Sequence, residues 1–190
     1  MSGYVYITGQ GADPGAGRFL KDPMFGPVPT LGACMPNIRR AVSVGDWIFV
    51  VSGKIERFQQ YIIGGMQVAE KISALEAHAR FPENRLSLTA EGLLVGNVVV
   101  SKDGDKHPLD THPKDGFDRR VENFIVGGKS INLETPEQVQ RSRNETLPIL
   151  QRVVGKAGNR PIDVIGRMSK IGELEVDTML AWLSDIKSGK

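Results

Sequence analysis

A single cysteine, Cys34, stands among 190 residues. No internal disulfide can form, and nothing calls for an oxidising compartment. Long apolar runs are missing too: the longest, Trp47 to Val51, is far too short to cross a bilayer. Charge of one sign is nearly balanced, with 24 Lys and Arg against 22 Asp and Glu and a net charge of +2. Wrapping a duplex without specificity needs a larger excess of cations, although a local basic patch stays compatible with this balance. The opening residues, MSGYVYITGQ, have neither the basic nor the apolar region of a signal peptide. Internal repeats and low-complexity stretches are absent. These absences lead us to expect a soluble, cytoplasmic protein with no membrane partner. The hydrophobic fraction of 40% is ordinary for a globular domain, and the length suits one domain with a helical appendage.

What is present is concentrated between Gly32 and Lys54, where a Gly/Pro-rich loop, a short basic helix and an apolar strand follow one another. Pro36 suits the first turn of a helix over Asn37–Val42. The N–H groups near Met35 and Pro36 offer a seat for an anion. Gly45-Asp46 makes a tight turn into Trp47–Ser52, an unbroken apolar run that reads as a strand buried on both faces. Tyr4–Thr8 reads as an earlier strand inside the sheet. Tyr61–Ile72 reads as a later one, with Gly64 and Gly65 marking a bulge or a close backbone approach. Gly9–Pro36 is a long loop, either a surface wrap or one wall of a pocket, with Phe19, Leu20, Met24, Phe25 and Val28 as its anchors.

Further on, Ser73 caps a helix over Ala74–Arg80, and Gly92–Ser101 and Val121–Gly127 read as strands. Thr135-Pro-Glu-Gln opens a helix that Pro148 is expected to interrupt, with a second short helix over Pro148–Lys156. Ile162–Ile165 reads as a short strand. Glu173–Ile186 is an amphipathic helix whose stripe of Val176, Met179, Leu180, Leu183 and Ile186 closes the core or binds a protein partner. About five strands this close in sequence point to an α+β fold, a small, mixed, mostly antiparallel barrel with inserted and C-terminal helices. Residues 1–135 would form the main domain and 136–190 a helical extension packed on it.

The candidate residues carry open alternatives. Arg39 and Arg40 could clamp a phosphate or pair with Asp46 or Glu70. Asp46 could cap its turn or read a base edge. Trp47 is core or a stacking surface. Cys34 is a nucleophile lowered in pKa by the helix terminus or an inert buried thiol. His107, Asp110, His112 and Asp118 form a loose cluster without a recognisable metal spacing, so no metal and no cofactor are expected. His112 and Asp118 could move protons, and Arg119 beside them could extend a positive patch.

The pattern Leu31, Ala33, Cys34, Pro36, Ile38, Arg39, Arg40, Val44, Gly45, Asp46, Trp47 and Gly53 resembles the nucleotide modification associated domain family, type 2. Tyr61–Ile72 and the residues Asp110, His112, Asp118, Arg119, Val121, Phe124 and Gly127-Gly128 continue it more loosely, so that it spans about residues 4 to 135. The Gly-Asp turn feeding an apolar strand also looks like the turn of barrel domains of the PUA, ASCH and EVE type. The resemblance implies a PUA-like barrel that binds a nucleotide or modified base in nucleic acid, within a bacterial or phage DNA-modification or defence system. Arg39, Arg40, Asp46, Trp47 and Arg119 would then contact nucleotide. Two other readings stay open: an enzyme of base modification, a transferase or hydrolase using Cys34, His112 or Asp118, and a structural adaptor of such a system.

Overall fold

A computed structural model describes residues 1–189 of the chain. Its larger sheet has six strands in the order β2-β7-β4-β3-β1-β8. These are β1 (Gly3–Ile7), β2 (Thr30–Leu31), β3 (Trp47–Val51), β4 (Ile62–Ile72), β7 (Phe124–Asn132) and β8 (Met168–Ile171). β1 runs parallel to β3 and antiparallel to β8, so the first strand lies inside the sheet as its apolar faces predict. β3 and β4 pair antiparallel, as do β2 and β7. The fold is therefore α+β with a mixed, mostly antiparallel sheet.

The expected closed barrel does not form among the described residues; the sheet is open, ending on β2 and β8. One reason lies in 92–101, the segment expected to supply a full strand. Gly96 takes φ +89°, and a Cβ there would lie 2.4 Å from the Arg85 carbonyl oxygen. The strand consequently shortens to β6 (Leu94–Val95), which pairs with β5 (Ser87–Leu88) in a separate two-stranded ribbon. The Asn97 and Val98 N–H groups then both turn onto the Asn84 carbonyl.

The chain resolves into two compact units: residues 1–20, 45–67 and 129–190, and residues 21–44 and 68–128. In the first, β1 and β3 share a core with α4 (Pro136–Val154), α5 (Pro161–Ile165) and α6 (Glu173–Ser188). Val5, Phe49, Leu150, Val176, Met179 and Leu183 meet there. The apolar stripe of α6 is thus the closing face of its own core, and that stripe is not available to a protein partner.

The capping box at Thr135 and Gln138 forms as the sequence predicts. Pro148, however, does not end the helix. α4 runs through it for 19 residues, because Ile149, Leu150 and Val153 bury enough apolar surface to hold the turn whose hydrogen bond proline removes. Ile162–Ile165 proves helical, as α5, with Pro161 in its first turn; the strand comes after it, at β8.

The double glycine in β4 shows both expected features. Register shifts between Val50 and Val51, so that Ile63 is the extra residue of a bulge. A Cβ on Gly64 would lie 2.3 Å from the Ile131 carbonyl oxygen, and one on Gly65 would lie 2.6 Å from the Phe49 ring.

In the second unit, α2 (Ala74–Arg80) packs with Ile72, Phe81, Val98, Val100, Phe124 and Val126. The last strand of this region begins at Phe124 rather than Val121, because 117–121 forms a short helix, α3, that packs through Phe117 and Val121. α1 (Pro36–Ala41) buries Ile38 and Arg39.

Candidate functional site

The second unit is organised around a carboxylate that the sequence did not single out. Asp22 is buried, and its two oxygens accept the N–H groups of Gly32 (3.0 Å), Ala33 (2.9 Å) and Cys34 (2.5 Å) together with the Asn97 amide (2.8 Å). Burial pushes the Asp22 carboxyl up from the ordinary carboxylate value, against the opposing pull of the Cys34 N–H, the Asn97 amide, the Gly32 N–H and the Arg39 charge. The N–H groups leading into α1, expected to seat an external anion, are here taken up by the chain's own carboxylate. Asn97 also reaches the Thr30 hydroxyl, and Asn84 binds the same hydroxyl.

Arg39 has no exposed surface. Its Nε donates to the Cys34 carbonyl at 2.8 Å, one Nη to the carbonyls of Arg120 (2.8 Å) and Asn123, and the other to Ala33 (3.5 Å). Arg120 in turn donates to the Ala33 carbonyl at 3.0 Å. The two guanidiniums lace the loop before α1 to α3 (Phe117–Val121). Arg39 is therefore a structural clamp on backbone, and an expected phosphate contact does not fall to it.

Cys34 sits inside this knot. Burial and the nearby Asp22 carboxylate push its thiol up to about 12, outweighing Arg39, Lys21 and Arg120. A thiol held this high carries little thiolate near neutral pH, which disfavours nucleophilic attack by Cys34. Asn97 Oδ1 and Arg120 Nε are buried without a hydrogen-bond partner among the described residues.

The exposed face of the same unit carries different residues. Arg40, one step along α1 from Arg39, points to solvent and contacts Asn37 at 3.4 Å. Arg119 and Asp118 are exposed on α3. Just before that helix, His112 Nδ1 lies 2.5 Å from Oδ1 of buried Asp110. The carboxylate fixes the ring, leaving Nε2 as the free nitrogen. Lys106 approaches the other Asp110 oxygen at 3.8 Å. His107 is not part of the pair; its Nδ1 accepts the Leu109 N–H. Among the described residues no trio of His, Cys, Asp or Glu gathers to hold a metal ion.

The remaining candidates belong to the first unit. Asp46 accepts the Ser2 N–H at 2.8 Å, and the Trp47 N–H donates to the Ser2 carbonyl, so the turn pins the start of β1 beside β3. Trp47 is 7% exposed and stacks on Phe49 with ring centroids 5.8 Å apart. It is core, and its stacking face is covered.

The same unit holds a buried ion pair that sequence reasoning missed. Asp13 and Arg143, 130 residues apart in the chain, meet bidentately at 2.7 and 3.0 Å. The Arg143 guanidinium lies over the rings of Tyr61 (4.7 Å) and Phe58 (5.1 Å). The Tyr61 hydroxyl accepts the Gly15 N–H, and burial, with a smaller push from Asp13, raises it to about 12. No local signal marks either partner: one lies in an irregular loop, the other on a helix face.

Residues 19–87 match nucleotide modification associated domain 2. The matched segment holds Asp22, Cys34, Arg39, Arg40, Asp46 and Trp47, and it stops before His112, Asp118 and Arg119. Among curated proteins none matches the chain. Among solved structures the chain is similar to the crystal structure of human THYN1 protein in complex with 5-methylcytosine containing DNA. The identity is 12%, 96% of this chain and 98% of that chain are covered, and the TM-score is 0.36.

Proposed function

We propose that the chain binds nucleic acid, reading a modified base, through the exposed face of the second unit. The observation that carries this reading is the match of residues 19–87 to a domain associated with nucleotide modification. The buried polar knot gives that segment a rigid frame. Arg39 and Arg120 lace α1 to α3, and the arginines that these helices leave in solvent, Arg40 and Arg119, would hold phosphates. His112, with its ring fixed by Asp110, would accept a hydrogen bond from a base edge. On this reading the open sheet is a relative of PUA-like barrels, and the chain serves a DNA-modification or defence system in the cytoplasm.

The test is a titration with plain and modified oligonucleotides at several salt concentrations. Binding should be salt-sensitive and stronger for one modified base. An absence of salt-sensitive binding across the panel contradicts the reading.

One observation favours a second reading. A histidine held at 2.5 Å by a buried carboxylate is a general-base arrangement, so the chain could act on a nucleotide as a hydrolase or transferase. Turnover of a modified nucleotide that disappears in His112→Ala would establish this. Turnover unchanged in that variant removes His112 as the base.

A further inference from the structure

We infer that the first unit holds a separate site for a single nucleotide, built around Phe58. A cleft of ≈ 320 Å³ opens between the loop 54–60, the middle of α4 and the start of α5. That is the small end of ligand-site volumes, room for one mononucleotide and too little for a run of them.

Four features give the cleft its chemistry. Phe58 is 49% exposed, and its ring is backed by the Arg143 guanidinium at 5.1 Å. Arg143 is itself fixed by Asp13 and by the Tyr61 ring. An aromatic ring held this rigidly, with half its surface open, is a stacking platform for a planar heterocycle. The loop presenting it is held unusually: Arg57, the residue before, takes φ 71°, a left-handed conformation rare outside glycine and frequent at binding sites.

Polar groups at the cleft suit a base edge. Gln59 and Asn144, both amide-bearing residues, are in its lining, with Asn144 Oδ1 accepting from the Gln140 amide at 3.3 Å. Pro148, also in the lining, withdraws the N–H that the Asn144 carbonyl would accept in an unbroken helix, leaving a backbone acceptor beside it. The charges select an anion. Arg143 is matched by Asp13 and Arg160 by Asp163, whereas Lys54 has no ion-pair partner among the described residues. The lining thus carries one uncompensated positive charge, placed to meet a phosphate.

The identity of the ring as a nucleobase rests on the function proposed above; the platform, the amides and the lysine do not. The test is calorimetry of the full chain with nucleoside monophosphates, plain and 5-methylated, and with the matching nucleosides. Phe58→Ala should weaken monophosphate binding roughly 5- to 150-fold, the range of one lost base–aromatic stack, while Phe58→Tyr keeps it. Lys54→Ala should remove the preference for monophosphate over nucleoside. Failure of all monophosphates to bind at millimolar concentration, or equal binding by Phe58→Ala in a folded protein, overturns the site.

An oligonucleotide carrying the preferred base identifies the source: competition with the monophosphate assigns the site to a base in a strand, and lack of competition assigns it to the free nucleotide. Either outcome keeps the site. Monophosphate binding without any oligonucleotide binding defeats the nucleic-acid reading and leaves the cleft standing.

Discussion

Arg39→Met tests whether this arginine serves structure or ligand. The guanidinium donates to the carbonyls of Cys34, Arg120, Asn123 and Ala33, with no surface in solvent. Methionine fills much of the volume but donates nothing, so four carbonyl oxygens lose a charged donor in a site that water does not reach. Hydrogen bonds to a charged group contribute about 1.5–3 kcal/mol each, and removing one side of a buried charged set costs about 3–5 kcal/mol overall. Against a total stability of about 5–15 kcal/mol that is a large fraction. Arg39→Lys should recover only part of it, because one ammonium cannot span the carbonyls that a planar fork reaches. Urea denaturation followed by circular dichroism measures the loss. Oligonucleotide binding per folded molecule, measured well below the denaturation midpoint, should change little. A variant within about 0.5 kcal/mol of the parent that loses binding would refute the structural role and return Arg39 to the ligand.

Asp13→Asn or Arg143→Met should each destabilise by about 3–5 kcal/mol in urea, and the double variant should lose less than the sum; additive losses would mean that the pair is not coupled. Gly64→Ala should destabilise by about 1–3 kcal/mol or more, since its Cβ would meet the Ile131 carbonyl oxygen at 2.3 Å; an unchanged melting temperature would contradict that close approach. The Cys34 thiol, raised to about 12 in the fold, should react slowly with iodoacetamide at pH 8, and its rate should keep rising as the pH climbs toward 12. In denaturant the pKa returns to the ordinary thiol range and labelling at pH 8 becomes fast. Rapid labelling of the native protein at pH 7 would show a thiolate that the geometry does not allow.

The elements were readable wherever pattern and packing agreed. β1 and β3 have apolar residues on both faces because both faces are covered, and the Thr135 cap and the double glycine in β4 announced themselves through residue type. Failures came where tertiary contacts outweighed local signals. Pro148 was expected to stop a helix that core burial carries straight through. The run 92–101 looks like one strand, but Gly96 turns it and hands its hydrogen bonds to Asn84. Of the five apolar anchors expected in the long loop 9–36, Leu20, Met24 and Phe25 are half-buried, whereas Phe19 and Val28 are each 47% exposed. The loop is also fastened by the carboxylates of Asp13 and Asp22, whose partners lie up to 130 residues away. Nothing in the sequence records such distances.

The same limit shaped the site. The stretch from Gly32 to Lys54 was legible as a concentration of unlike residue types, a loop, a basic helix and an apolar strand, and the matched family model covers it. Adjacent arginines, however, look alike in a sequence. Only the packing separates Arg39, turned inward onto carbonyls, from Arg40, turned to solvent. Trp47 was legible as core or stack, and its Phe49 contact decides for core. His112 was one of four residues in a loose cluster, and only the 2.5 Å contact selects Asp110 as its partner.

The most direct test of nucleic-acid binding through the second unit is the salt dependence of oligonucleotide affinity for the parent chain and for the double variant Arg40→Ala/Arg119→Ala. Each phosphate contact contributes about 0.7 to the slope of log K against log salt on a single strand and about 0.9 on a duplex. Loss of two such contacts should flatten the slope by about 1.4 to 1.8 and weaken plain and modified sequences alike. An identical slope in the double variant, with binding intact, would contradict the assignment of these arginines and place the nucleic-acid surface elsewhere on the chain.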